Sequence, residues 1–329
     1  MVRIGLLGCG RIGQVHARSI SQIEGAKVTA VADAFAEPAQ ALADRSAAQV
    51  LEPLALINSP EVDAIVIGTP TDTHYDLIKA AARAGKAIFC EKPVDLSADR
   101  IRDCIKVVER AAVPFLTAFN RRFDPNFADL QARLRQGQIG EVEIVTIQSR
   151  DPSPPPLSYI AGSGGLFRDM MIHDLDMARF LLGEELVRVY AVGSALVDPE
   201  IGHAGDVDTA AVTLTTTSGK ICQITNSRRA SYGYDQRIEV HGSGGMLRAE
   251  NVLETTVELA TASGFSRARA QHFFLDRYAA AYKAEMLHFI EAIAAGTDPS
   301  PNLHDGLRAQ LLADAATLSL TEGTPVDLS

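Results

Sequence analysis

From Val2 the chain runs through "VRIGLL", an unbroken apolar stretch, into the glycine turn "GCGRIG" and then "QVHARSI", whose apolar residues recur three and four apart; "KVTAVAD" follows as a second apolar stretch. Short apolar runs bounded by turn residues predict buried strands, and the 3.6-residue spacing predicts a helix between them, a βαβ unit. The alternation continues with a strand at "VDAIVIGTP", a helix at "HYDLIKAAARAG", a strand at "KAIFCEKP", a helix over 97–112 and a strand at "PFLTAF". Strands that are apolar throughout and alternate with helices predict a parallel, doubly wound sheet covered on both faces.

After "NRRFDP" the pattern changes. "GEVEIVTIQSRDP" predicts a strand, the Pro-rich "DPSPPPLSYIAGSGG" a loop, and "GLFRDMMIHDLDMARF" a helix. Four strand candidates follow, "LVRVYAVGSAL", "DTAAVTLTTTSG", "KICQITNSRRA" and "QRIEVHGSGG", alternating and joined by Gly and Ser turns as in an antiparallel sheet. Two helices close the chain, "RYAAAYKAEMLHFIEAIAAG" and "DGLRAQLLADAATLSLTEG". At 329 residues two domains are expected. Residues 1–120 would form an α/β domain, and residues 121–329 an α+β domain with a mainly antiparallel, open-faced sheet and helices on one face.

The glycine turn carries the first chemistry. Gly8 permits a tight turn, Gly10 lets backbone approach a pyrophosphate, and Gly13 lets helix and strand pack closely, with Arg11 and Ile12 at the start of a helix whose positive end faces the phosphates. Asp33 lies 20 residues after Gly13, at the end of the second strand. A carboxylate there can accept from the ribose hydroxyls of NAD and would repel the 2′-phosphate of NADP, so a Rossmann domain preferring NAD is predicted. Thr69 and Pro70 end one later strand and Glu91, Lys92 and Pro93 the next, at the carboxyl edge where such sheets bind ligands. Lys92 would then approach the nicotinamide, and His74, at a helix start, the cofactor. Each also has an ordinary reading, Lys92 as a solvated lysine and His74 as a helix-start residue.

The helix at 165–180 poses a question. Helical spacing puts Asp169, His173 and Asp176 on one stripe and Met171, Leu175, Ala178 and Leu182 on the opposite one. A solvated face and a reaction site would both produce this pattern.

Charge and composition narrow the classes. The 31 Lys and Arg stand against 41 Asp and Glu, net −10, with no basic block to follow a phosphate backbone, which argues against nucleic acid. No apolar run is long enough for a bilayer and the start resembles no signal peptide, so no membrane partner and a cytoplasmic location are expected. Cys9, Cys90, Cys104 and Cys222 are scattered without a CxxC pair and read as small core residues. His203, Asp206 and Asp208 could be imagined as ligands, but their Gly and Ala neighbours mark a loop, and no metal is predicted.

Taken in order, "GCGRIG", "AD" at the second strand end, "TPTDTH", "CEKP", "NRRFD", "GGLFRDMMIHDLDMARFLLG" and "RYAAAYKAEMLHFIEAI" resemble the Gfo/Idh/MocA oxidoreductase family over nearly the whole chain. "RDP" at 150–152 and "NSRRASYGYDQRIEVHGSGGM" look like inositol 2-dehydrogenases, which oxidise a ring hydroxyl of myo-inositol with NAD. The resemblance implies a catalytic group of Lys92, Asp169 and His173. It also implies substrate-binding roles for Arg122, Asp151 and a tyrosine of "SYGYD", with Tyr232 and Tyr234 both open and Arg121 not separable from Arg122. A histidine suits proton removal from a secondary alcohol, and a lysine suits the developing alkoxide charge. The resemblance further implies a small polyol substrate and a homotetramer through the open sheet face. Alternatives are a dehydrogenase of scyllo-inositol or an aldose, a non-catalytic dinucleotide-sensing regulator, and an enzyme recycling a tightly held NADP between two sugars, against which Asp33 weighs.

Overall fold

The computed structural model describes residues 1–328; Ser329, the last residue of the expected second domain, lies outside the described residues, as does the side chain of Ala161 in the Pro-rich segment. The chain divides into two compact units, Met1–Phe123 with Ala280–Gln310, and Asp124–Ala279 with the chain from Leu311 onward.

The first unit follows the predicted alternation and adds α2, β3 and α3 between its second and third predicted strands: β1 (Val2–Leu7), α1 (Arg11–Ser21), β2 (Ala26–Ala32), α2 (Ala36–Ser46), β3 (Gln49–Val50), α3 (Pro53–Asn58), β4 (Ala64–Ile67), α4 (Thr71–Arg83), β5 (Ala87–Cys90), α5 (Ala98–Ala111) and β6 (Phe115–Thr117). The strands pair in parallel in the order β3-β2-β1-β4-β5-β6. Every residue of β4 and β5 is buried, which is why these runs are apolar without alternation. Gly8 turns the chain at φ +92°, and a Cβ there would lie 2.5 Å from the carbonyl oxygen of Gly68. Ser97 caps α5 by accepting from the Arg100 amide.

The second unit holds α6 (Pro125–Arg135), β7 (Val142–Arg150), α7 (Leu157–Ser163), α8 (Gly165–Asp169), α9 (Ile172–Leu182), β8 (Leu186–Ser194), α10 (Pro199–His203), β9 (Thr209–Thr216), β10 (Ile221–Ser227), β11 (Asp235–Gly242), β12 (Gly245–Ala249), the hairpin β13 (Glu258–Thr261) and β14 (Gly264–Arg267), and α11 (Phe274–Arg277). The chain ends with α12 (Ala279–Ala295), α13 (Leu303–Glu322) and β15 (Val326–Asp327). Its large sheet has the order β12-β11-β7-β10-β9-β8-β15 and is antiparallel except where β7 meets β10. The parallel pair is possible because helices and two other strands intervene between β7 and β10. Burial alternates along β7 to β10: Val145, Ile147, Val189, Val212, Leu214 and Ile224 are buried, while Ile144, Tyr190 and Val192, like Met246 on β12, are exposed.

Three expectations change. The Pro-rich segment is no simple loop, since α7 forms within it, its first turn following Pro156. The helix at 165–180 is two helices: the Met171 amide bonds the Leu166 carbonyl five residues back, a wide turn at which α8 stops and α9 begins. A single straight stripe through Asp169, His173 and Asp176 therefore does not exist. The wet face is absent as well, because every residue of α9 is buried except the half-buried His173, Arg179 and Phe180. Finally, residues 280–310 cluster with the first unit instead of continuing the second: Met286, Phe289 and Ile290 share a core with Leu6 and Phe89, and Thr117 donates to the Asn302 carbonyl at 2.7 Å. No helix among the described residues is long and apolar enough to cross a membrane, and all four cysteines are buried.

Candidate active site

In the first unit the glycine turn is built from backbone. The Gly8 amide bonds the Ala32 carbonyl at 2.8 Å and the Cys9 amide bonds Asp33 Oδ2 at 2.6 Å, while Asp33 Oδ1 accepts from the Phe35 amide at 2.9 Å. Asp33 is half-buried, and two acceptor sites on its carboxylate remain beyond these bonds. A Cβ on Gly13 would fall 1.9 Å from the Gly8 oxygen, whereas one on Gly10 would meet no atom within 4 Å. The turn is thus packed on the sheet side and open at Gly10. Gly10 precedes α1, whose first turn has no side-chain cap and no acidic residue; Arg11 is exposed and Ile12 half-buried. Amides at a positive helix end beside an open backbone suit a pyrophosphate, and Asp33 is tied to this turn through the Cys9 amide.

The loops after β4 and β5 are tied together by His74. It is 1% exposed, with Nε2 2.9 Å from the Thr69 carbonyl and Nδ1 3.0 Å from the Pro93 carbonyl, so both ring nitrogens are engaged by the two loops it joins. Burial holds its pKa below the ordinary histidine value against the pull of both carbonyls. Thr69 Oγ1 and Thr73 Oγ1 lie 2.6 Å apart, and Pro70 is exposed. Glu91 turns inward, its Oε1 2.6 Å from His16 Nε2 and its Oε2 3.3 Å from the Lys92 amide, which it accepts. Lys92 is half-buried. Arg121 is buried, and Arg122 donates to Asp305 at 2.9 Å.

In the second unit the chemistry gathers at the ends of β7 and β10 and the start of β11. Asp169 Oδ1 accepts from Tyr159 Oη at 3.0 Å and Oδ2 lies 3.4 Å from both terminal nitrogens of Arg228. His173 opens α9, whose placement follows from the neighbouring Asp174: its carboxylate, fully buried, takes bonds from Ser149 Oγ at 2.7 Å and Asn226 Nδ2 at 2.9 Å, from β7 and β10. The Asp151 amide bonds the Ser227 carbonyl at 3.0 Å. The two tyrosines separate clearly. Tyr234 is 6% exposed and packs edge-on to Tyr278, whereas Tyr232 is 46% exposed and donates to Asp235 Oδ2 at 2.7 Å. The imagined cluster of His203, Asp206 and Asp208 is spent on structure: Asp206 accepts from the Leu166 amide, Asp208 caps the amides of Leu196, Val197 and Asp198, and His203 pairs with Glu200.

Sequence reasoning missed Arg228 and His16. Arg228, 1% exposed, stands in "NSRRA", where a basic pair at a strand end was the available signal. His16 had no signal beyond its helical position, because its partner is 75 residues away.

Two family descriptions match the chain: an oxidoreductase family with an NAD-binding Rossmann fold over residues 2–119, and a GFO/IDH/MocA C-terminal domain over residues 127–248. An inositol 2-dehydrogenase of Rhizobium meliloti (strain 1021) is 53% identical over 328 residues, covering 100% of this chain and 99% of the relative. The chain belongs to the Gfo/Idh/MocA oxidoreductase family. Within the family, a myo-inositol 2-dehydrogenase of Thermotoga maritima is 46% identical over 99% of this chain and 98% of the relative. The solved structure of a myo-inositol dehydrogenase from Corynebacterium glutamicum superposes with a TM-score of 0.96 at 45% identity, covering 100% of this chain and 99% of that one. The first unit is thus a family NAD-binding Rossmann domain, and the protein an NAD-dependent dehydrogenase.

The cluster around Tyr232 makes a pH prediction. Burial pushes the Asp235 pKa up, but bonds from Arg237, Tyr232 and Asn251 outweigh it and hold the group at about 2. A carboxyl depressed on folding stabilises the protein above its ordinary pKa and loses that contribution as pH falls, here between about 4 and 2. Asp235→Asn should therefore cost on the order of 2 kcal/mol at pH 7 in urea unfolding, and the gap to the parent should close below pH 4. A gap that is constant down to pH 2 would contradict this origin.

Proposed function

We propose that the protein oxidises a ring secondary hydroxyl of myo-inositol to 2-keto-myo-inositol. The full-length likeness to inositol 2-dehydrogenases at 53% identity carries this reading, and the inward tie of Asp33 to the glycine turn supports NAD as the partner. NAD, when bound, accepts the hydride. Gly10 and the first amides of α1 would hold the pyrophosphate, and Asp33 the adenosine ribose. His173 removes the hydroxyl proton as hydride leaves carbon, Lys92 stabilises the developing alkoxide, and Asp169 orients the imidazole or binds a neighbouring hydroxyl. Arg228 and Tyr159 hold Asp169 in place. Arg122, Asp151 and Tyr232 recognise the remaining hydroxyls; Tyr232 is preferred to Tyr234 because its hydroxyl lies on an exposed side chain. A polyol differs from its isomers only in hydroxyl positions, so selectivity comes from polar groups that a wrong isomer leaves unpaired. The domain roles follow, cofactor on residues 1–120 and substrate and assembly on 121–329, with the tail helices lending residues 280–310 to the first unit's core. A cytoplasmic catabolic role accords with this chemistry.

The open sheet face displays Ile144, Tyr190, Val192 and Met246, large apolar side chains that a second copy would cover. A homotetramer is expected, and light scattering at micromolar concentration should give about four times the 35.2 kDa of one chain; a 35.2 kDa species alone would refute it.

Catalytic efficiency should favour NAD over NADP. Asp33→Ser should narrow that preference by at least about tenfold, the ratio that 1.4 kcal/mol represents, and equal use of both cofactors by the parent would remove the role given to Asp33.

His173→Ala should lower turnover of myo-inositol by about 10²- to 10⁴-fold while folding and NAD binding persist. Assayed beside scyllo-inositol and aldoses, the parent should be most active on myo-inositol. A parent that turns over no polyol would favour a dinucleotide-sensing regulator, and near-parental turnover in the variant would end the assignment of His173.

A further inference from the structure

We propose that His16 and Glu91 form a positioning couple that sets the backbone at Lys92 from helix α1; this rests on Lys92 acting on the substrate, as proposed above. The argument begins where β5 ends. The Glu91 amide makes the last ladder bond, to the Ile67 carbonyl at 2.9 Å. Lys92 is therefore the first residue that the sheet does not hold.

What holds its amide is the Glu91 side chain, through a long bond of 3.3 Å to Oε2. That bond has meaning only if the carboxylate is itself fixed, and Oε1 is fixed by His16 Nε2 at 2.6 Å. A carboxylate offers only lone pairs, so Nε2 carries the proton and donates. His16 is fully buried, with the ring of Phe89 edge-on at 4.8 Å and that of Tyr282 at 5.9 Å. These contacts set the plane of the imidazole and aim Nε2 at Glu91. Nδ1 is buried without a partner among the described residues. Burying a polar ring in an apolar cage with one nitrogen unmatched costs stability, and a Leu would fill the cage without that cost. The one polar return on this placement is the bond to Glu91.

The couple thus joins the helix that begins at the cofactor turn to the strand end that presents the lysine. Without it, Glu91 can rotate and release the Lys92 amide, and the ammonium loses its registration on the reacting oxygen. Misplacement of a catalytic group by about 1 Å can cost on the order of 10²-fold.

The test uses the full-length protein with NAD and myo-inositol. His16→Leu should lower kcat about 10- to 100-fold, with KM for myo-inositol and the NAD dissociation constant changed less than about threefold and with parental circular dichroism. His16→Gln, whose amide nitrogen reproduces the donor at Nε2, should recover most of the loss. Glu91→Gln should repeat the loss while keeping the volume, and it decides the matter if His16→Leu folds poorly. His16→Leu/Lys92→Ala should be no slower than Lys92→Ala alone, because a group that acts only through Lys92 has nothing left to position. The proposal is overturned if His16→Leu turns over at the parental rate, if its loss adds fully to that of Lys92→Ala, or if the loss lies in NAD affinity alone. A parental rate in Lys92→Ala would instead sink the role of Lys92, and the couple with it.

Discussion

A side chain at Gly13 would put its first carbon 1.9 Å from the carbonyl oxygen of Gly8. The closeness of helix to turn that this forbids to any other residue is what the rest of the first unit depends on. It brings the amino end of α1 over the sheet edge, leaves the open space at Gly10, and sets Cys9 where its amide can meet Asp33. One turn further along the same helix, it delivers His16 to Glu91. The open turn, the Cys9–Asp33 bond and the meeting of α1 with the end of β5 thus share one close backbone contact.

The second unit is organised by buried carboxylates. Asp174 anchors α9 to two strands that are parallel neighbours, and that anchoring decides where His173 stands. Asp235 gathers Arg150, Tyr232, Arg237 and Asn251 at the end of the same sheet. Asp208 caps three consecutive amides, beside the strand end from which Arg228 reaches Asp169. Each buried charge is satisfied by several donors, as low-dielectric surroundings require. Side chains fixed in this way keep their orientation without help from a ligand.

Much of this was legible in the residues. Continuous apolar strands alternating with helices, the three glycines and the acid at the second strand end specify a nucleotide-binding α/β unit, because periodicity and φ > 0 requirements are local. The carboxyl-edge positions of Thr69, Pro70, Glu91 and Lys92 followed from strand direction alone, and the alternation of β8 to β11 from one-sided burial. What the chain order could not reveal was pairing over distance: the parallel meeting of β7 and β10, and the return of residues 280–310 to the first core.

The solvated stripe at 165–180 shows the division most clearly. Periodicity set Asp169 and His173 on one stripe of a single helix, where the chain forms two, α8 and α9. It could not register the wide turn at Met171, which depends on a hydrogen bond five residues back, nor the burial of Asp174, which depends on donors from strands β7 and β10. Likewise the sequence offered Tyr232 and Tyr234 as equals, two residues apart on a strand entrance. Both lie in the turn before β11, where Gly233 at φ +119° redirects the chain between them, so that Tyr234 packs on Tyr278 in the core while Tyr232 stays at the surface. Local geometry and residue chemistry were determined by the sequence alone; which polar groups became buried partners, and so which side chains stand ready for a substrate, was decided by tertiary packing.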